Sequence, residues 1–170
     1  MSTTGTLRAP IRRRLTQFIA ALAIVTGMSV ATAGTASAAN VGEWACDYNS
    51  YHNSCLYIAN LGGNMYSVHV GIDIYMSQQD AQNIINSGFR PTAALYGDDG
   101  SLNYRTTIPL TGNPTAWSGG YSAEFDKVVS GSLLNEDDDG VDEIIAKVSQ
   151  YFPAAQRTVT YKTGEVKSSF

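Results

Sequence analysis

Residues 65–75 read MYSVHVGIDIY. Val68, Val70, Ile72 and Ile74 fall at alternate positions, with Ser67, His69, Gly71, Asp73 and Tyr75 between them. Side chains along a strand point to opposite sides with a period of two, so the two sets occupy opposite faces. One face is apolar and the other wet. That pattern marks a sheet with one buried side, and the rest of the chain has to supply its cover.

Turn signals recur every ten residues or so, which suggests many short strands. Cys55-Leu-Tyr-Ile-Ala59 reads as one, followed by the turn Asn60-Leu-Gly-Gly-Asn64. Thr92–Tyr96 and Leu102–Leu110 flank Gly97-Asp-Asp-Gly100, a hairpin composition. Tyr121, Ala123 and Phe125 alternate with Ser122, Glu124 and Asp126 in another strand. Val159–Tyr161 and Glu165–Lys167 flank Lys162-Thr-Gly164 and predict a terminal hairpin. One short helix is expected over about 77–87: Ser77 caps it, Ala81, Ile84 and Ile85 form its apolar stripe, and Gly88 ends it. Residues 141–152 fit two periods. Val141, Ile144, Ile145, Val148, Tyr151 and Phe152 suit a helix face, whereas Ile144, Ala146 and Val148 suit a strand. The β-branched content and the surrounding strands favour the strand. The expected fold is mainly β: a single-domain antiparallel β-sandwich or barrel of seven or eight strands with one short helix. A helix at 141–152 would make it α+β instead.

The first 39 residues stand apart. Arg8, Arg12, Arg13 and Arg14 precede an apolar run from Phe18 to Val30, and Ala36-Ser-Ala-Ala39 follows. This is the pattern of a secretory signal that is removed, leaving residues 40–170 as one extracellular β domain. A membrane anchor is the alternative, but the run is short and broken by Thr and Gly for a span of about 20 residues. Leu15-Thr16 after the paired arginines suits the general secretory route better than twin-arginine export. Taking those four arginines from the eleven Lys and Arg of the chain leaves seven against fifteen Asp and Glu, a net charge of −8. Such a domain is repelled by nucleic acid and by anionic membrane, and it favours cations or a basic partner. Cys46 and Cys55 are its two cysteines. In an exported chain they pair as a disulfide. A metal pair would need further Cys or well-spaced His ligands.

Residues 134–148 read LNEDDDGVDEIIAKV, with five acidic side chains within seven residues around Gly140. Like charges this close repel unless water, salt or a cation screens them. Calcium takes six to eight oxygens, and short loops offer them at alternate positions with a glycine at the sixth for the sharp turn. With Asn135 as position one, Asp137 is three, Asp139 five and Gly140 six. Val141 offers a backbone carbonyl at seven and Glu143 stands at nine. The alternative is a solvated acidic turn without an ion. Across Asn135, Asp137, Asp139, Gly140 and Glu143 the stretch resembles the calcium loop of FG-GAP repeats and, more loosely, of dockerin and EF-hand modules. Asn at position one and Ala146 at position twelve depart from those loops, so the resemblance implies loop chemistry and not a parent fold. Asp98 and Asp99 would add ligands if their turn lies at the same end of the sandwich.

His52 and His69 are the two histidines, and no G-x-S-x-G elbow accompanies them. His69 and Asp73 share a strand face but lie about 13 Å apart along it. Glycoside hydrolysis would need two carboxylates held about 5–10 Å apart. Trp44, Tyr48, Tyr51 and Tyr57 cluster around the cysteines, as inward packing or as a binding surface. Trp117 and Tyr121 bracket a glycine loop and are a second candidate binding pair. Cys46 through Cys55-Leu-Tyr57 to Gly62-Gly63 is similar to the opening of small secreted βγ-crystallin-like proteins, the group of microbial protease inhibitors and killer-toxin-like proteins. That resemblance implies a rigid β scaffold that binds proteins. Three readings follow. The first is a secreted, non-catalytic β domain that binds calcium for stability or for attachment to an extracellular protein or glycan. The second is an inhibitor-like or toxin-like binding protein without metal, and the third a small extracellular hydrolase.

Overall fold

The protein is described by a computed structural model covering residues 42–135 and 140–170. The leader at 1–39 and the loop residues Asp137 and Asp139 lie outside the described residues. The described elements, in chain order, are β1 (Glu43–Tyr48), β2 (His52–Gly62), β3 (Met65–Tyr75), α1 (Gln78–Asn86), β4 (Thr92–Asp98), β5 (Leu102–Ile108), β6 (Thr115–Trp117), β7 (Gly120–Ser130), a four-residue α2 (Gly131–Leu134), β8 (Asp142–Phe152), β9 (Arg157–Lys162) and β10 (Val166–Ser168).

The alternation in 65–75 does what its pattern requires. Val68, Val70, Ile72 and Ile74 are buried, and their neighbours on the strand are only half covered. β3 lies at the centre of a five-stranded antiparallel sheet ordered β1-β2-β3-β7-β6. Its cover is a second antiparallel sheet, ordered β5-β4-β8 with β10 and β9 on the far edge of β8. Leu56 and Ile58 from β2 and Ala123 and Phe125 from β7 face Ala93 and Leu95 from β4 and Ile144, Ala146 and Val148 from β8 in one apolar cluster. Full burial of one such Val, Leu, Ile or Phe side chain contributes about 1.5–3 kcal/mol. The fold is a β-sandwich, not a closed barrel. α1 begins where the Ser77 hydroxyl accepts the Asp80 N–H at 3.1 Å, and it buries Ala81 and Ile84.

The ambiguous segment 141–152 is a strand. From Asp142 to Gln150 its even-numbered side chains are buried. The expected terminal hairpin does not form. β9 and β10 run in line along the same edge of β8, pairing with its residues 147–152 and 142–144 respectively. Between them the Thr163 N–H donates to the Ala146 carbonyl at 3.0 Å, and the Thr163 hydroxyl accepts the Ala146 N–H at 2.9 Å. These two bonds hold the chain to β8 instead of letting it turn back.

Both seams between the sheets are polar. On one, the chain leaves β5 and joins β7: Leu110 bridges Phe125, and the Thr111 N–H donates to the Glu124 carbonyl at 2.8 Å. On the other, the buried Ser54 hydroxyl donates to the Lys162 carbonyl at 2.8 Å. There Gly164 lies directly under the backbone of β1. A Cβ at that position would stand 2.7 Å from the Cys46 nitrogen and 2.8 Å from the Ala45 carbonyl carbon.

Candidate functional site

Two regions bring chemistry-bearing residues together. The first is the acidic end of the second sheet. Antiparallel pairing of β4 with β8 matches Gly97 to Ile144. That is the last pair of the register, so the Asp98-Asp99 turn leaves β4 at the end of the sheet where β8 begins at Asp142. Gly140 and Val141 lead into β8 at the same end. The base of the acidic loop is tied down on both sides. The Arg105 guanidinium donates to the Leu133 and Asn135 carbonyls at 2.8 and 2.7 Å. The Ser169 hydroxyl donates to the Gly140 carbonyl. Gly140 itself has φ +89°, a left-handed conformation that suits glycine.

Of the residues named for a calcium site, Asn135 and Val141 are exposed. The Glu143 carboxylate lies 3.0 Å from the Lys167 ammonium. That hydrogen bond is the main reason the Lys167 pKa is raised. Asp142, which the alternate spacing passed over, is the carboxylate that turns inward. It is buried and accepts the Phe170 N–H at 3.4 Å. Asp98 pairs with Lys162 at 2.6 Å. Among the described residues, no group of three or more His, Cys, Asp or Glu is close enough to hold a metal ion.

The second region is the outer face of the first sheet, centred on the disulfide. Cys46 and Cys55 are direct cross-strand partners with Cα atoms 4.0 Å apart, and they bond β1 to β2. In the next row, Trp44 stands opposite Tyr57, Tyr57 opposite His69, and His69 opposite Asp126. The Trp44 and Tyr57 rings lie 4.7 Å apart at 31°, and Trp44 meets His69 edge-on at 5.9 Å. The His69 Nδ1 contacts the Asp126 carboxylate at 2.8 Å. On the other side of the disulfide, Tyr48 meets Tyr75 edge-on at 6.4 Å. Burial, then the neighbouring Tyr48 and Asp73, raises the Tyr75 phenol pKa. The Ser122 hydroxyl donates to Asp73. Trp44 is 55% exposed and Tyr48 71%.

The expected binding pair Trp117 and Tyr121 is not brought together as a surface. Trp117 is half-buried and folds its indole down over Gly119. Tyr121 corrects the expectation outright. Strand alternation turns it into the core, where it is 0% exposed and its hydroxyl donates to the buried Gln150 side chain at 2.9 Å. Burial drives its phenol pKa far up, against a smaller lowering effect of Arg90. Each histidine contacts an aspartate: His69 contacts Asp126, and His52 contacts Asp47 at 3.2 Å. Both cysteine sulfurs are in the disulfide. The sequence signal for the aromatic face was the Trp44–Tyr57 cluster. Its acidic members on β7 lie too far along the chain to be seen with it.

Fold and site together define a two-sheet antiparallel β-sandwich with a disulfide-bonded aromatic face and an acidic end. Comparison with protein-family models, curated proteins and solved structures finds no match to this chain. Among the described residues, no helix is long and apolar enough to cross a membrane.

Proposed function

We propose that this protein is an exported, non-catalytic β-sandwich whose acidic end binds a calcium ion, for stability or for attachment to an extracellular partner. The observation that supports it best is the register of β4 on β8. It brings the end of β4, which leads into Asp98-Asp99, and the start of β8, at Asp142 and Glu143, to one end of one sheet. Calcium needs more oxygens than one short loop supplies easily, and two adjoining loops widen the choice of donors. The loop's likeness to FG-GAP calcium loops points the same way. Asn135, Asp137, Asp139, the Val141 carbonyl and Glu143 are the proposed ligands. Glu143 would exchange Lys167 for the ion. The intrachain disulfide is compatible with an extracellular location.

The test is thermal unfolding of the purified protein with calcium or with chelator. A ligand that binds only the native state stabilises it by about 2.7 kcal/mol at a hundredfold excess over Kd. Tm therefore rises by several degrees with calcium. The rise disappears in Asp137→Asn/Asp139→Asn. An unchanged Tm, with no calorimetric heat on calcium addition, refutes the reading. The inhibitor-like reading without metal draws on the exposed aromatic face, and inhibition of secreted proteases in chelator would favour it.

A further inference from the structure

We infer that the outer face of the sheet β1-β2-β3-β7-β6 docks a Lys- or Arg-bearing segment of a partner protein. The face is charged in one sense only. β-Sheet parity places Asp73, Glu124 and Asp126 on it together with the aromatic rows. Among the described residues, no Lys or Arg of that sheet shares the face. Lys127 stands opposite the buried Val68, on the other side, and reaches Thr107 at the seam. The remaining lysines are on the second sheet. Lys162 and Lys167 are paired with acids there, and Lys147 sits 5.0 Å over the Tyr96 ring. The outer face of the first sheet thus carries acids with no Lys or Arg among its described residues.

Its shape suits a cation rather than a flat ring. Trp44 and Tyr57 are tilted, and Tyr48 and Tyr75 meet edge-on, so neither pair offers a planar platform for a sugar. An ammonium or guanidinium fits over such rings within about 6 Å of a centroid, beside a carboxylate. Gly71 lies in the middle, between Cys55 and Glu124, and the His69 imidazole rests beside it, 3.6 Å from where a Cβ would stand. The disulfide ties β1 to β2 beneath the aromatic rows, so little ordering accompanies binding. Trp, Tyr and Arg are the residue types enriched among the few side chains that dominate interface energetics, and such side chains tend to meet one another across the interface.

The experiment is fluorescence anisotropy on protein purified after expression of the full chain. The probe is a labelled nonapeptide alternating Arg and Gly, with its citrulline counterpart as a neutral control. The Arg peptide should bind at least tenfold more tightly than the citrulline peptide, and added salt should weaken it. Trp44→Ala and the triple variant Asp73→Asn/Glu124→Gln/Asp126→Asn should each weaken it at least tenfold, with the melting transition retained. Glu165→Gln, in the connection between β9 and β10 and off this face, should leave it unchanged. Equal binding by wild type and Trp44→Ala overturns the proposal. So does equal weakening by Glu165→Gln, which would reveal non-specific attraction to net charge. Binding of neutral chito- or cello-oligosaccharides without the Arg peptide also overturns it, in favour of a glycan surface. All measurements are made in calcium and again in chelator, so the outcome does not depend on the acidic end.

Discussion

Tyr121→Phe removes one oxygen from the centre of the sandwich. Tyr121 and Gln150 are both 0% exposed, and the Tyr121 hydroxyl donates to the Gln150 side-chain carbonyl at 2.9 Å. The net gain from such a bond is only about 1 kcal/mol, but an orphaned buried acceptor adds its desolvation cost, for a loss of about 1–3 kcal/mol. At about 4 °C per kcal/mol for a domain of this size, Tm falls by about 4–12 °C. Gln150→Met strands the hydroxyl instead and also leaves the Tyr151 carbonyl without the amide that donates to it at 2.7 Å. The double variant strands neither partner of the Tyr121–Gln150 bond. It is therefore more stable than the sum of the single losses, by a coupling of about 0.5–3 kcal/mol. The Tyr151 term is common to the single and the double variant and drops out of the cycle. Urea unfolding of the four proteins measures this directly. Additive losses, or a Tyr121→Phe protein within about 0.5 kcal/mol of wild type, would show that water or another group satisfies Gln150 and that the bond does not organise the core.

Three further outcomes are expected. Cys46→Ser/Cys55→Ser loses about 2.5–3 kcal/mol in the loop-entropy model, given the separation of nine residues, read as a lower urea midpoint. Gly164→Ala forces a methyl into the backbone of β1 and costs about 1–3 kcal/mol, whereas the same change at the uncrowded Gly62 is governed only by its positive φ; calorimetric Tm values compare the two. Burial raises the phenol pKa of Tyr121, Tyr161 and Tyr75 in the folded chain. The unfolded chain therefore releases those protons first, and stability is intact below about pH 10 and declines as pH rises above it. Absorbance at 295 nm should show fewer than the ten tyrosines ionising until the chain unfolds.

The parts of the fold legible beforehand were those where one strand reports its own environment. Residues 65–75 alternate cleanly because β3 has one covered and one wet face. β8 was harder because Ile145 is buried as well as its neighbours Ile144 and Ala146. That outward isoleucine breaks the alternation and counterfeits a helical stripe, so only β-branching favoured the strand. Lys162-Thr-Gly164 has turn composition, but Thr163 takes the ladder bonds of a strand residue, which composition does not record. Tyr121 was misplaced for a related reason. Its hydroxyl needs a partner if buried, and that partner lies 29 residues away on the facing sheet. His69 likewise finds its carboxylate on a neighbouring strand, 57 residues on, and not at Asp73. The turn between β4 and β5 around Asp98-Asp99 was visible as local composition. The inward course of Asp142 was not, because it depends on the C-terminal residues that close over it.

A long, regular outer strand is a template on which a stranger's backbone can grow. The in-line border formed by β9 and β10 interrupts that template at Thr163 and Gly164, where a side chain stands in the ladder and the backbone dips beneath its neighbour. An incoming strand would lose its register halfway along, so this margin resists self-stacking by its own irregularity.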